Sequence, residues 1–250
     1  MTILHDATWS EVRARAFRVA VLPWGATEAH NYHLPYGTDV IEAEQIGRRA
    51  VAAAASQGAE VVLLPTIPLG VQTGQLDIPL CINLNPSTQA AVLRDVIGSL
   101  EPHGVRVLVI LNGHGGNDFK QIIRELQPTT RILLVQVNWY QVRDARAYFD
   151  EPGDHGGELE TSVMMHIAPE LVRPLDTAGP GSARTPIVQG MREGWAWTPR
   201  RWTQVTDDTG VGNPSRATAA KGARYVEDVV ASLAQLLVEL GRVEPSHLYE

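Results

Sequence analysis

The chain has 250 residues, a formal net charge of −7 and one cysteine, Cys81. That length supports one sizeable core and predicts a single domain over residues 1–250; a lone cysteine excludes an internal disulfide, and the absence of a basic stripe argues against nucleic acid as a partner. Neither end carries an apolar run long enough to span a membrane, and the first residues lack the apolar core and cleavage site of a secretory signal, so a cytoplasmic protein is expected.

In chain order, Thr8 caps a predicted helix over TWSEVRARAF, with Glu11 completing a capping box. Arg18 to Pro23 (RVAVLP) reads as a strand covered on both faces, Val40 to Gly58 as an alanine-rich helix, and EVVLLPT from Glu60 as a second strand. Residues 67–86, broken by five Gly and Pro positions including Gly70 and Pro79, form a long loop of the kind that often carries function. A helix capped by Ser87 runs to about Leu100, followed by a strand from Val105 to Leu111, a short helix from Phe119 to Leu126 and a strand from Arg131 to Val137. Residues 170–215 are loop-rich, hold Trp195, Trp197 and Trp202, and read as a lid or a subunit contact. A last helix, from about Ala217 to Leu240, has its Val and Leu residues at helical spacing. Strands alternating with helices predict a three-layer α/β/α sandwich around a mostly parallel sheet, whose ligands bind beyond the C-terminal strand ends.

Three clusters of chemistry-bearing residues follow strands or open a helix. In the first, Glu28 and His30 fall two apart in an extended segment and share a side, while Asp39 can return to the same point after the turn implied by Pro35 and Gly37. His114 stands in the second, NGHGGN. The third, DHGGELET, offers Glu158 or Glu160, and helix geometry chooses between them. Leu159, Val163, Met164 and Ile167 cover one broad face with Glu160 in its middle and Glu158 outside it, and a carboxylate on an apolar face needs a positive partner. A metal ion would be that partner, with His155 just ahead of the helix placed to exchange protons with a substrate. Alone, each residue has a plain structural reading: Glu28 or His30 as solvated loop residues, His114 in a turn, Glu160 paired with an arginine, His155 as a helix cap. Together, Glu, His and Asp ligands suit catalytic Zn²⁺ or Mn²⁺, and Asp39, with two oxygens, could bridge two ions.

These residues and their motifs give the chain a resemblance to the creatininase (creatinine amidohydrolase) family. It runs from TWSEV through E-x-H-N-Y-H-L-P-Y-G-T-D at 28–39, NGHGGN at 112–117 and HGGELETS at 155–162 to GVGNPSRATAAKG at 210–222. The resemblance implies a three-layer α/β/α fold, two divalent ions per subunit and a homo-oligomer, often a hexamer. It assigns Glu28 and His114 to one metal, His30 to the other, Asp39 to the bridge and His155 to proton transfer. Creatininase itself follows the second-motif histidine with Tyr and a metal-binding Glu; Gly115 and Gly116 stand there, which makes Glu160 the expected replacement and argues against creatinine as substrate. The expected reaction is hydrolysis of a small or cyclic amide by a metal-bridging hydroxide. The alternatives are ring-opening C–C hydrolysis of an oxidised inositol, for which Asn31 and Tyr32 in place of the commoner Gly-Pro are a marker, and a catalytically silent metal-binding module.

Overall fold

The computed structural model describes residues 2–249. Five strands, β1 (Thr2–Ile3), β2 (Val19–Trp24), β3 (Val61–Leu63), β4 (Val107–Asn112) and β5 (Leu133–Asn138), form a parallel sheet in the order β1-β3-β2-β4-β5. The helices are α1 (Trp9–Arg13), α2 (Thr38–Ser56), α3 (Pro86–Leu100), α4 (Phe119–Leu126), α5 (Glu158–Ile167), α6 (Gln189–Arg192), α7 (Trp202–Val205) and α8 (Ala219–Arg242).

Every residue of β2 and β4 is buried, as their unbroken apolar runs require when both faces of a parallel sheet are covered. Alternation then sorts the side chains. Val19 and Val21 pack with Ile46 of α2 and Val226 and Leu233 of α8, whereas Ala20, Leu22 and Trp24 pack with Leu93 of α3 and Phe119 of α4. The result is the expected three-layer α/β/α sandwich.

The connection after β2 leads to β3 on one side, and the connection after β4 leads to β5 on the other. Adjacent strands whose connections diverge open a crevice at their C-terminal ends, where α/β sheets bind ligands. Register places those ends side by side, Trp24 opposite Asn112. Among the described residues no helix is long and apolar enough to cross a membrane.

Two boundaries differ from the sequence reading. The capping box of Thr8 and Glu11 forms, but α1 stops at Arg13 because Phe17 is drawn into the α3 and α4 side of the core, leading the chain into β2. Helix α3 starts at Pro86 with Asn85 as cap, since proline at the first helical position loses no needed donor. The two-residue β1 is too short to carry a periodicity.

Helix α8 crosses α5 at Gly222, where an added Cβ would lie 1.9 Å from the Ser162 carbonyl oxygen. Backbone cannot give way as a side chain can. Gly222→Ala is therefore expected to lower unfolding free energy in urea by about 2–3 kcal/mol, the upper range for overpacking; an unchanged midpoint would show that the helices separate freely.

Candidate metal centre

The loop after β2 folds back on its own downstream helix. Gly25 makes this possible, because a Cβ there would stand 2.6 Å from the Val40 backbone nitrogen. The start of α2 consequently lies against the end of β2, and Asp39 in its first turn returns beside Glu28 and His30. Asn31 adopts a left-handed φ of 55° and locks the loop, its side-chain amide exchanging hydrogen bonds with Gly179 at 2.8 and 3.0 Å. His114 follows β4, and Asn112 holds its backbone from both sides.

The expected residues meet at the crevice. His114 Nδ1 lies 2.8 Å from Glu28 Oε1 and 3.0 Å from Asp39 Oδ2, and His30 Nε2 lies 2.9 Å from Asp39 Oδ1. Glu28, Asp39 and His114 form one triad of donor atoms within 4.8 Å of one another; His30, Asp39 and Glu160 form a second, with Asp39 common to both. His155 approaches from the side, its Nδ1 3.8 Å from Glu28 Oε1 and its ring stacked 4.0 Å from that of His30.

Each histidine has one nitrogen occupied by a backbone carbonyl and the other turned inward. The carbonyls are Glu28 O for His30, Val71 O for His114 and Ala29 O for His155, at 3.1, 2.9 and 2.7 Å. Since a carbonyl only accepts, the outer nitrogen carries a proton and the inner one is the nitrogen whose lone pair would be available to a metal, the orientation metal-ligating histidines need. Glu28 Oε1 and Asp39 Oδ2 are buried and accept no aligned hydrogen bond among the described residues. Inward-facing ring nitrogens beside orphaned carboxylate oxygens fit a cation.

Electrostatics of the bare protein point the same way. Burial opposes charge on His30, yet Asp39, Glu160 and Glu28 outweigh it and hold the ring's pKa at about 10. His114 is likewise held well above its ordinary value against burial, mainly by Glu28 and Asp39. In the bare protein His30 and His114 are thus positively charged beside these carboxylates, as a cation in the same place would be. His155 behaves oppositely: burial, then the His30 charge, push it down to about 4, so it stays neutral. Burial and the neighbouring Asp39 and Glu28 carry Glu160 up to about 7 against the pull of His30.

Glu160 sits in the site, but not for the reason helix periodicity gave. Glu158 is the more buried of the two, at 0% exposure, and is compensated by the Lys221 ammonium and by the Glu151 N–H at 2.7 Å. Glu160 instead opens onto a cavity of about 620 Å³ that also touches Glu28, Asp39, His114 and His155. Gly116 could not be a glutamate here, because a Cβ would fall 2.3 Å from Val71 O and 2.4 Å from His114 Nε2. Gly116 makes room for the bond that orients His114, whereas a Cβ at Gly115 would meet only the Tyr140 hydroxyl, at 3.9 Å.

Sequence reasoning missed two residues. Gln75, from the 67–86 loop, donates its amide N–H to Glu28 Oε2 and accepts from the Cys81 thiol, leaving Oε1 of Glu28 to the site. Glu42, one turn after Asp39 on α2, is fully buried with neither carboxylate oxygen hydrogen-bonded among the described residues. An acidic residue at a three-residue helical spacing from Asp39 was the available signal for Glu42. Gln75 had none, being brought in by tertiary contact.

Burial, then Glu160 and Asp39, raise the Glu42 pKa well above that of an ordinary carboxyl. An acid whose folded pKa is raised costs no stability at low pH and progressively more as pH climbs past the unfolded value near 4.5. In chelator-treated protein, Glu42→Gln is expected to raise the melting temperature at pH 7 and to match the wild type near pH 4. A variant that melts below the wild type at pH 7 would mean that Glu42 is ionised and partnered.

The comparisons with known proteins point to one family. A crystal structure from Bacteroides fragilis NCTC 9343, provisionally named a creatinine amidohydrolase, is 42% identical with a TM-score of 0.93 and covers 100% of this chain and 98% of that one. The mycofactocin precursor peptide peptidase of Mycobacterium tuberculosis strain H37Rv is 29% identical over 246 residues, 93% of this chain and 90% of that protein. The creatinine amidohydrolase of Pseudomonas putida is 28% identical over 193 residues, 67% and 72% of the two chains. Creatininase solved in a manganese form shares the fold, with a TM-score of 0.80 at 23% identity over 97% of this chain and 99% of that one. The creatininase family model, described as creatinine amidohydrolase, matches residues 5–237, and the chain belongs to that family of metal-dependent amidohydrolases.

Proposed function

We propose that this chain is a two-metal hydrolase that cleaves the C–N bond of a small amide or short peptide. The observation that carries the reading is Asp39, whose two oxygens face His114 and His30 and which belongs to both triads of donor atoms. Glu28 and His114 would hold one divalent ion, His30 and Glu160 the other, and Asp39 both. Zn²⁺ and Mn²⁺ suit this mixture of carboxylate and imidazole ligands. Once bound, the ions would polarise the substrate carbonyl and acidify water towards neutral pH.

The chain's own residues supply the remaining chemistry. Glu28, Asp39 and Glu160 bring negative charge that matches a pair of dications, and Gln75 fixes Glu28 so that one oxygen faces inward. His155 is neutral, with its Nδ1 lone pair towards the site and its Nε2 proton held by Ala29 O. It is placed to take a proton from the attacking water and return it to the departing nitrogen. Water adds across the bond: carbon gains oxygen, carbon and nitrogen part, and nitrogen leaves protonated.

Asn31 and Tyr32 do not favour ring-opening C–C hydrolysis. Asn31 is spent on Gly179 and the Tyr32 hydroxyl on the Asp207 carbonyl, so neither borders the cavity. The reading includes one catalytic domain in a cytoplasmic homo-oligomer, a hexamer by family resemblance. Ile187, Trp195 and Trp197, exposed on the 170–215 segment, support a subunit contact there.

Metal-loaded protein should hydrolyse members of a panel of N-acyl amino acids, cyclic amides and short peptides, lose that activity to a chelator and regain it with Zn²⁺ or Mn²⁺. His155→Ala should cut kcat by about 10²–10⁴-fold with metal content unchanged. Hydrolysis that survives chelation would contradict the metal mechanism. Fully metallated protein inert across the panel would favour a silent binding module.

A further inference from the structure

The acidic side chains lining the cavity beside the candidate metal centre outnumber the basic ones. Besides Glu28, Asp39 and Glu160 it touches Asp118 and Asp154, and among the described residues its only Lys or Arg is Arg200. Arg200 is also held in a definite pose. Its guanidinium lies 4.2 Å above the Trp202 ring, and its NH1 donates to Asp154 Oδ2 at 2.6 Å. Trp202 is buried and meets the His155 ring edge-on at 5.1 Å, while Asp154 is the residue before His155. Arg200 is therefore built against the two sides of the residue assigned to proton transfer.

The Asp154 pair does not use up this arginine. Both side chains are about half exposed, at 48% and 58%, where an ion pair is weak. One of five N–H donors meets Asp154, and the others have no hydrogen-bond partner among the described residues. Stacking on an indole fixes the guanidinium plane and leaves its edge free to grip a carboxylate through paired hydrogen bonds.

A second observation on another wall of the cavity concerns amides. Gln72, 4% exposed, has neither its amide nitrogen nor its oxygen hydrogen-bonded among the described residues. Gln89, fully buried, gives its nitrogen to Asn117 and keeps its oxygen unpartnered. Both border the cavity. A carboxamide with a free donor and a free acceptor is the complement of a peptide group, which offers one of each. At about 620 Å³ the cavity has the size of sites that enclose ligands larger than one small ring.

We propose that this cavity is a subsite for a short, peptide-like substrate bearing a free carboxylate, with Arg200 as the specificity-determining group for the carboxylate and Gln72 for an amide of its backbone. The inference rests on the hydrolase reading above and deepens it by naming the substrate class. A pure latch between two loops, the plainer role for Arg200 and Asp154, would show no dependence on ligand charge.

The test is calorimetric binding of N-acetyl-trialanine and its C-terminal amide to zinc-loaded protein, after zinc content has been measured. Wild type should bind the acid about tenfold more tightly than the amide. Arg200→Met should abolish that preference by weakening the acid alone, Arg200→Lys should restore part of it, and Gln72→Leu should weaken both ligands equally. Binding of neither ligand by wild type, no preference between them, or a preference surviving in Arg200→Met, as direct carboxylate binding to zinc would give, overturns the proposal. Equal loss of both ligands in Arg200→Met reduces Arg200 to a latch and also overturns it. Protein that takes up no zinc fails the hydrolase reading before any peptide is added, so the two failures are distinguishable.

Discussion

Burying several carboxylates at one point is the constraint on which the rest of the structure depends. Glu28, Asp39 and Glu42 are each at most 1% exposed, and Glu160 faces them. Charges removed from water in this way are tolerated only if compensated. In the bare protein the compensation is protonation, seen in the raised His30, His114, Glu160 and Glu42; without those protons His30, His114 and Glu160 would be free to serve as the ligands proposed above. The crevice between β2 and β4 provides the place, and Gly25 and Gly116 allow the backbone to close around it.

Much of this was legible in the sequence. The strands showed as apolar runs because both sheet faces are covered, and the long helices as periodic patterns, so the three-layer sandwich followed. Glu28, His30, Asp39 and His114 stood out because metal-binding residue types clustered just past strand ends, where a parallel sheet presents its loops. What stayed hidden depends on contacts distant in sequence. Gln75 reaches Glu28 across 47 positions, and Val71 orients His114 across 43. Neither leaves a mark in local pattern.

Glu160 reaches the crevice, but not by the argument that selected it. An apolar helix face predicts which carboxylate is buried without a partner on its own helix, but α5 is covered by α8, and Lys221 from α8 neutralises Glu158 instead. Glu160 then turns to the crevice, the side that a glutamate at position 116 could not serve without striking Val71. On the reading proposed above, the departure at Gly115 and Gly116 and the presence of Glu160 would be two sides of one rearrangement: the ligand would move from the β4 loop to α5, while the backbone at Gly116 leaves room for the bond that holds the His114 ring.

The most direct test of that rearrangement is metal content per chain, measured on protein purified without added metal, for wild type and Glu160→Ala. About two ions in the wild type falling to about one in the variant is the predicted result. One ion or none in the wild type, unchanged by Glu160→Ala, would contradict it and leave Glu160 a structural residue of α5.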